Sequence, residues 1–456
     1  MSHSCVIAPH LKDALSSQGD EGESKYGRMF PNLPCLLIDE NILISLGKSD
    51  ALMDMIQPDE QGALTDNPRI PAGFTFFGQF IAHDITADRS LLLHHARLKE
   101  LRNFRKPRLD LECIYGAGPS GDPYLYDLYD SDKFLLGIND IDRMDDVPRN
   151  RQGRALVADP RNDTQLFVSQ LHLAFLKFHN AVVDYLRARG VPPSTVFEEA
   201  RRLVRWHYQW IVIHEFLPLT VGQELVDDIL TTGPRFYQPG PHPFIPVEFA
   251  DAAYRFGHSQ IRPLYVLNDS DTQGRVFPEC IGMCPVSHDH VIDWAYFFSV
   301  SDSHPPQASK RIDTRMAHSL IDLPVAIVGE TETPEERSLA YRDLVRGEAL
   351  DLPSGECLAR EMGVEPLSGD EVGLNQLGWQ GETPLWFYIL KEAQVRYNGE
   401  RLGEVGGRIV AEVLLGLINA DPTSYLNADD QWSPSLSDTS QGDFTIANLL
   451  QFAGLA

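Results

Sequence analysis

Basic residues are the scarce class in this chain: 39 Lys and Arg stand against 65 Asp and Glu in 456 residues, a formal net charge of −26. That deficit excludes a phosphate-tracking surface, so DNA, RNA and anionic membranes are not expected partners. Cysteine is sparse as well. The six thiols (Cys5, Cys35, Cys113, Cys280, Cys284, Cys357) are too few for a disulfide framework in a chain of this length. Cys280 and Cys284 form a CxxxC with His288 and His290 behind it. The CxxC spacing of structural zinc sites is missing, and ordinary buried thiols are expected. No apolar run approaches the roughly 18 residues of a spanning helix, so no membrane insertion is expected. The first ten residues carry neither a basic nor an apolar targeting region, and a soluble cytoplasmic protein is the expectation. No repeat, linker or composition break divides the chain.

What is present is an ordinary apolar content of 43%, enough for a large core. Residues 1–28 are polar and read as a mobile N-terminal arm. Residues 29–456 read as one all-α, mainly helical domain. The most informative stretch is Gly73–Thr86, rich in aromatic residues, with Gln79, His83 and Asp84 embedded in it. As a helix it puts Gln79 and His83 on one face and turns Asp84 away by about 100°. One polar pair then faces a pocket, and the carboxylate becomes an anchor behind it.

A long helix is expected from Asp159 to about Leu186, because Leu166, Leu171, Phe175, Phe178 and Val182 recur at three- and four-residue steps. His172 and His179 share a face of it and suit packing and hydrogen bonding. A second helix runs from about 194 to 216 and ends before Pro218. Further helices are expected at Leu91–Leu101, Tyr254–Pro263, 310–320, Pro334–Arg346, Leu385–Tyr397 and Leu402–Ala420. Arg105–Pro119 reads as a loop or short extended segment.

Four segments together resemble the animal-type haem peroxidase family (the peroxidase-cyclooxygenase superfamily), in its bacterial branch. They are Gly78–Asp84, Leu109–Gly116, Asp159–Asp163 with His172 and His179, and Arg255–His258. The resemblance extends through Leu344–Gly347 and Leu352–Gly355, covering about 25–430. It implies a helical peroxidase-like fold around haem b. His83 falls on the distal histidine, Gln79 on the distal glutamine, Arg161 on the distal arginine and His258 on the proximal iron ligand. Arg255 and Arg346 fall on arginines near the haem propionates, and Asp343 on the partner of the proximal imidazole.

The resemblance also implies what this chain lacks. Ala82 and Thr164 occupy the positions of the family's ester-forming carboxylates, and Gln165 that of a sulfonium-forming methionine, so the haem is expected to be non-covalent. Asp84 and Asp110 fall on calcium ligands, and Glu112 would add a third carboxylate. Lys106 stands where the family's loop supplies a threonine, and its ammonium in place of the ion is the favoured expectation.

The implied activity is a haem peroxidase, with hydrogen peroxide and a small organic reductant as substrates and a ferryl intermediate. A haem oxygenase or dioxygenase, or a specialised biosynthetic oxidase, is the alternative. The dioxygenase needs a tyrosine three residues before the proximal His, where Arg255 stands; Tyr254 is one residue off. A non-catalytic haem-binding scaffold is the third reading, and retention of both His83 and Arg161 opposes it.

Overall fold

The computed structural model describes residues 26–55, 65–87, 101–240, 242–300, 305–429, 431–436 and 443–456. Numbering only described helices of seven residues or more, they are α1 (Glu40–Gly47), α2 (Gly73–Ile85), α3 (Leu166–Ala188), α4 (Val196–Ile211), α5 (Gln223–Thr232), α6 (Leu339–Ala349), α7 (Gly355–Met362), α8 (Leu385–Tyr397), α9 (Glu404–Ala420) and α10 (Ile446–Phe452). Described strands form only two-stranded pairs, and the longest is Asp66–Pro71. The fold is the mainly helical one expected.

α2 is central because almost all of its faces are apolar. Phe74, Phe76, Phe77, Phe80 and Ile81 are all buried. Phe76 stacks on Phe167 and Phe80 on Phe175, both from α3, at ring-centroid distances of 4.2 and 4.7 Å. Phe77 meets Tyr208 of α4 edge-on at 6.1 Å. Aromatic pairs in these geometries add to plain area burial. α2 is thus clamped between α3 and α4, which fixes the azimuth of Gln79 and His83. α3 is long and apolar enough to cross a membrane, but 83% of its apolar window is buried inside the fold; it is a core helix.

Several local expectations are corrected. Asp159 does not begin the long helix. Pro160–Asp163 form a 3₁₀ turn capped by the Asp159 carboxylate, Gln165 is extended, and α3 starts only at Leu166. Pro218 does not end the helical run either. α4 passes into a π-helical turn, Val212–Phe216, and then a further turn, Leu217–Val221. Pro218 sits in the first turn of that segment, where a missing N–H is tolerated. Glu112–Tyr115 and Gly118–Gly121 are single helical turns rather than loop. The 310–320 region contains strands Ala308–Lys310 and Met316–Ala317 before one turn, His318–Ile321. Tyr254–Pro263 lies on a 3₁₀ helix, Ala253–Gln260. The expected helix Leu91–Leu101 falls almost wholly outside the described residues.

Residues 1–25 of the expected arm also lie outside the described residues. Tyr26–Gly27 already pairs in parallel with Ile245–Pro246. Just beyond, the buried Glu248 carboxylate accepts from the Met29 and Phe30 N–H groups at 3.0 and 3.1 Å. Cys280 is buried as expected, whereas Cys284 is exposed.

Candidate active site

α2 delivers His83 at its C-terminal end, facing the Pro160–Asp163 turn. His83 Nδ1 lies 2.8 Å from Asn162 Oδ1, and Asn162 Nδ2 lies 2.9 Å from His172 Nδ1 on α3. The amide oxygen can only accept, so Nδ1 of His83 carries the proton. Its Nε2 lone pair is left without a protein partner among the described residues. Burial, and next the Arg161 charge, push the His83 pKa down to about 4, so the ring is neutral near pH 7. Burial does the same to His172, pulling it down to about 3.

Arg161 comes to the same end of α2. Its Nη2 donates to the carbonyls of His83, at 2.9 Å, and Thr86, capping the helix C-terminus. Its Nε and Nη2 also donate to Asp159, at 3.0 and 2.8 Å. Burial alone would raise the Asp159 carboxyl, but Arg161 and Arg105 hold it well below the usual range. One donor atom of Arg161, Nη1, has no protein partner among the described residues, and the side chain is 30% exposed. Gln79, one turn before His83, accepts at Oε1 from Gln165 Nε2 at 2.8 Å.

On the other side, the 3₁₀ helix Ala253–Gln260 packs against α2, α8 and α9 and carries His258. His258 Nδ1 lies 2.6 Å from Asp343 Oδ2 of α6. The second oxygen of Asp343 accepts from Arg255, whose Nη2 also donates to Asp251 at 2.7 Å. Arg346 Nε donates to the same Asp251 oxygen at 2.9 Å. Burial by itself would raise the Asp343 carboxyl; His258 and Arg255 together hold it below its ordinary value. The resemblance puts Arg255 and Arg346 at haem propionates. In the structure both pair with a buried carboxylate cluster, and three Arg255 donors are engaged once the bond to the Ala250 carbonyl is counted.

A haem iron calls for a neutral imidazole whose far nitrogen donates to a fixed acceptor. His258 has the fixed acceptor, Asp343, at Nδ1, and its Nε2 has no protein partner among the described residues. A Cβ added at the neighbouring Gly257 would meet nothing within 4 Å. The donor set fits a haem that would be held through His258.

The carboxylates expected at a calcium site have protein partners. Asp84 accepts from the Leu111 and Cys113 N–H groups at 3.0 and 3.4 Å, Asp110 from the Glu112 N–H at 3.1 Å, and Glu112 pairs with Arg105 at 3.2 Å. Burial raises both Asp84 and Asp110. Among the described residues no three metal-ligating side chains converge. Nor does Lys106 replace the ion, because it is exposed. The cation beside the cluster is Arg105, buried between Glu112 and Asp159.

Sequence reasoning missed Asn162 and the roles of Gln165, Asp159 and Asp251. The signal was the polar run Asp159–Gln165 set against the buried face of α3, but which side chain points where depends on the 3₁₀ turn.

Residues 93–281 match the family model "animal haem peroxidase". That stretch holds Arg161 and His258, while Gln79 and His83 precede it and Asp343 follows it. A chorion peroxidase of Aedes aegypti is 23% identical over 309 residues, 64% of this chain and 37% of that protein. The chain thus spans little over a third of that relative's length. A peroxidase-like protein of Margaritifera margaritifera is 34% identical over 113 residues, 24% of this chain and 14% of that one. Among solved structures, peroxidase A of Dictyostelium discoideum superposes with a TM-score of 0.65 at 14% identity, over 94% of this chain and 91% of that chain. A fatty acid alpha-dioxygenase of Arabidopsis thaliana gives 0.59 at 16% identity, over 93% and 80%. At such identities the structures share the fold alone.

Proposed function

We propose that this chain, an oxidoreductase that carries an animal haem peroxidase domain, reduces hydrogen peroxide and oxidises a small organic donor. The observation that carries the reading is the state of His83: buried, neutral, its Nδ1–H fixed on Asn162, its Nε2 without a protein partner among the described residues, and its ring within the field of the Arg161 charge. A bound haem, held at His258, would supply the iron and the electron reservoir. The protein's own part is proton movement. His83 Nε2 takes the proton from one peroxide oxygen and returns it to the departing one. Arg161 Nη1 offers a charged donor where negative charge grows as the O–O bond breaks. Over a turnover, peroxide receives one electron and one proton from each of two donor molecules and leaves as two waters.

The dioxygenase alternative needs a phenol that can lose a proton and an electron together. Tyr254 is the nearest tyrosine in sequence to His258, yet its buried hydroxyl has no hydrogen-bond partner among the described residues to receive the proton. Burial raises its pKa well above the ordinary value. Peroxidation therefore leads. The haem should be haem b without covalent links, since Ala82 cannot form an ester and Thr164 instead donates its hydroxyl to the Arg161 carbonyl at 2.9 Å.

The test is stopped-flow mixing of the haem-loaded protein with peroxide, then with a phenolic donor. A peroxide-dependent change in the haem spectrum, reversed by the donor, is expected; an unchanged spectrum would remove the reading. Acidified organic solvent should then extract all of the haem. A fraction retained on the chain would overturn the non-covalent assignment.

A further inference from the structure

Both ends of the Gln165 amide are engaged. Its Oε1 accepts from the Phe167 N–H at 3.0 Å, capping α3, and its Nε2 donates to Gln79 Oε1 at 2.8 Å. The first bond fixes the polarity of the second. A backbone N–H can only donate, so Gln165 must turn its oxygen to Phe167 and its NH2 group to Gln79. An amide NH2 cannot accept, so Gln79 must answer with its oxygen. The Gln79 NH2 group is then left without a protein partner among the described residues, one turn before His83 on the same face of α2.

We infer that Gln165 is a positioning residue that sets the polarity of Gln79, so that the site presents N–H donors, not a carbonyl acceptor, beside His83. The chain Phe167 N–H to Gln165 to Gln79 transmits the fixed direction of a helix-start amide across to α2. Among the described residues, the groups at this end of α2 without a protein partner are then two donors, Gln79 NH2 and Arg161 Nη1, and one imidazole lone pair, His83 Nε2. That set favours a bound oxygen or small anion that accepts hydrogen bonds. The inference rests on the proposed haem at His258.

Fluoride on the ferric haem is a suitable probe, because it only accepts hydrogen bonds. Gln165→Glu keeps the cap, since a carboxylate oxygen still accepts from Phe167 N–H. Its second oxygen cannot donate, so Gln79 must flip and present its own oxygen to the site. At pH 8 fluoride affinity should fall about tenfold, the equivalent of one lost hydrogen bond. Gln79→Ala should lose a similar amount, and adding Gln165→Glu to it should cost nothing further. A merely structural role for Gln165 would move the melting temperature and leave fluoride affinity alone. Unchanged affinity in Gln165→Glu would overturn the inference. So would an equal loss in the Gln79→Ala background, which would mean that the new charge acts directly. A protein that takes up no haem would overturn the proposed function, whereas haem uptake with unmoved fluoride affinity removes only this inference.

Discussion

His83 and His258 each offer Nδ1 to a buried oxygen and leave Nε2 open, yet the oxygens differ in kind. Asn162 gives His83 an amide oxygen at 2.8 Å; Asp343 gives His258 a carboxylate oxygen at 2.6 Å. Beyond the amide lies another neutral ring, His172. Beyond the carboxylate lies the Arg255 guanidinium, and behind that Asp251 and Arg346. One imidazole sits in a neutral relay and the other in a charged one. A neutral partner fixes the tautomer without holding an added proton, which suits a ring that must take up and release protons. A charged partner makes the hydrogen bond stronger and the ring more electron-donating, which suits a metal ligand. Under the proposed function, the same residue type is thus given two jobs by what stands behind it.

The largest way to break this comparison is to remove the proton-transfer side. His83→Ala should slow reaction with peroxide by roughly 100- to 10,000-fold, the usual contribution of a general acid–base group. Haem content should be unchanged, because His83 is not the proposed ligand. Arg161→Ala should slow the same step. Stopped-flow rates that stay at the wild-type value in both variants would show that proton transfer does not run through this corner.

How much of this was readable beforehand follows from where the partners lie. Gln79 and His83 stand four apart on a strongly apolar helix, and their shared face was legible from spacing alone. The anchoring role of Asp84 was legible for the same reason; it meets the backbone of Leu111 and Cys113. Asn162 was not legible. It is 79 residues from His83, and its direction depends on a 3₁₀ turn where periodicity suggested an α-helix. Arg105 was missed by one position in favour of Lys106. In an irregular segment neither helical nor strand periodicity says which of two adjacent cations points inward. The long helices α8 and α9 emerged near their expected bounds and α3 did so at its C-terminal end alone, whereas the π turn at Val212–Phe216 left no trace in the pattern.

A subtler test makes the neutral side resemble the charged one. Asn162→Asp would place a carboxylate at the Nδ1 of His83. In the native chain His83 is held at about pKa 4, first by burial and then by Arg161. Reaction with peroxide needs the neutral ring, so the native rate should be flat above about pH 5 and fall as pH drops through 4. The new carboxylate stabilises the protonated ring and raises its pKa, moving the acid limb to higher pH by about one unit or more. The check is the pH profile of the second-order rate constant with peroxide. An acid limb that stays in place would mean that Asn162 is not the working partner of His83.

The smallest expected effect lies on the charged side and asks whether the charge itself matters. Asp343→Asn keeps an oxygen for the His258 Nδ1–H but removes the negative charge. Arg255 retains Asp251, at 2.7 Å, so the guanidinium is not stranded. The ring then donates less electron density to the iron, and the ferric state loses more stabilisation than the ferrous one. The ferric/ferrous reduction potential should therefore rise, by about 60 mV for every 1.4 kcal/mol of lost preference. Haem should stay bound. Asp343→Ala is the contrasting variant: beyond the charge it removes the oxygens that accept from Arg255 and His258, and each buried donor left unsatisfied should cost about 1–3 kcal/mol. Spectroelectrochemical titration of the Asn variant separates the two roles of Asp343. A potential that rises while the melting temperature holds assigns the carboxylate to the metal ligand. If the potential stays level or falls, the Asp343–His258 pair serves only to neutralise Arg255, and the contrast between the two imidazoles does not reach the iron.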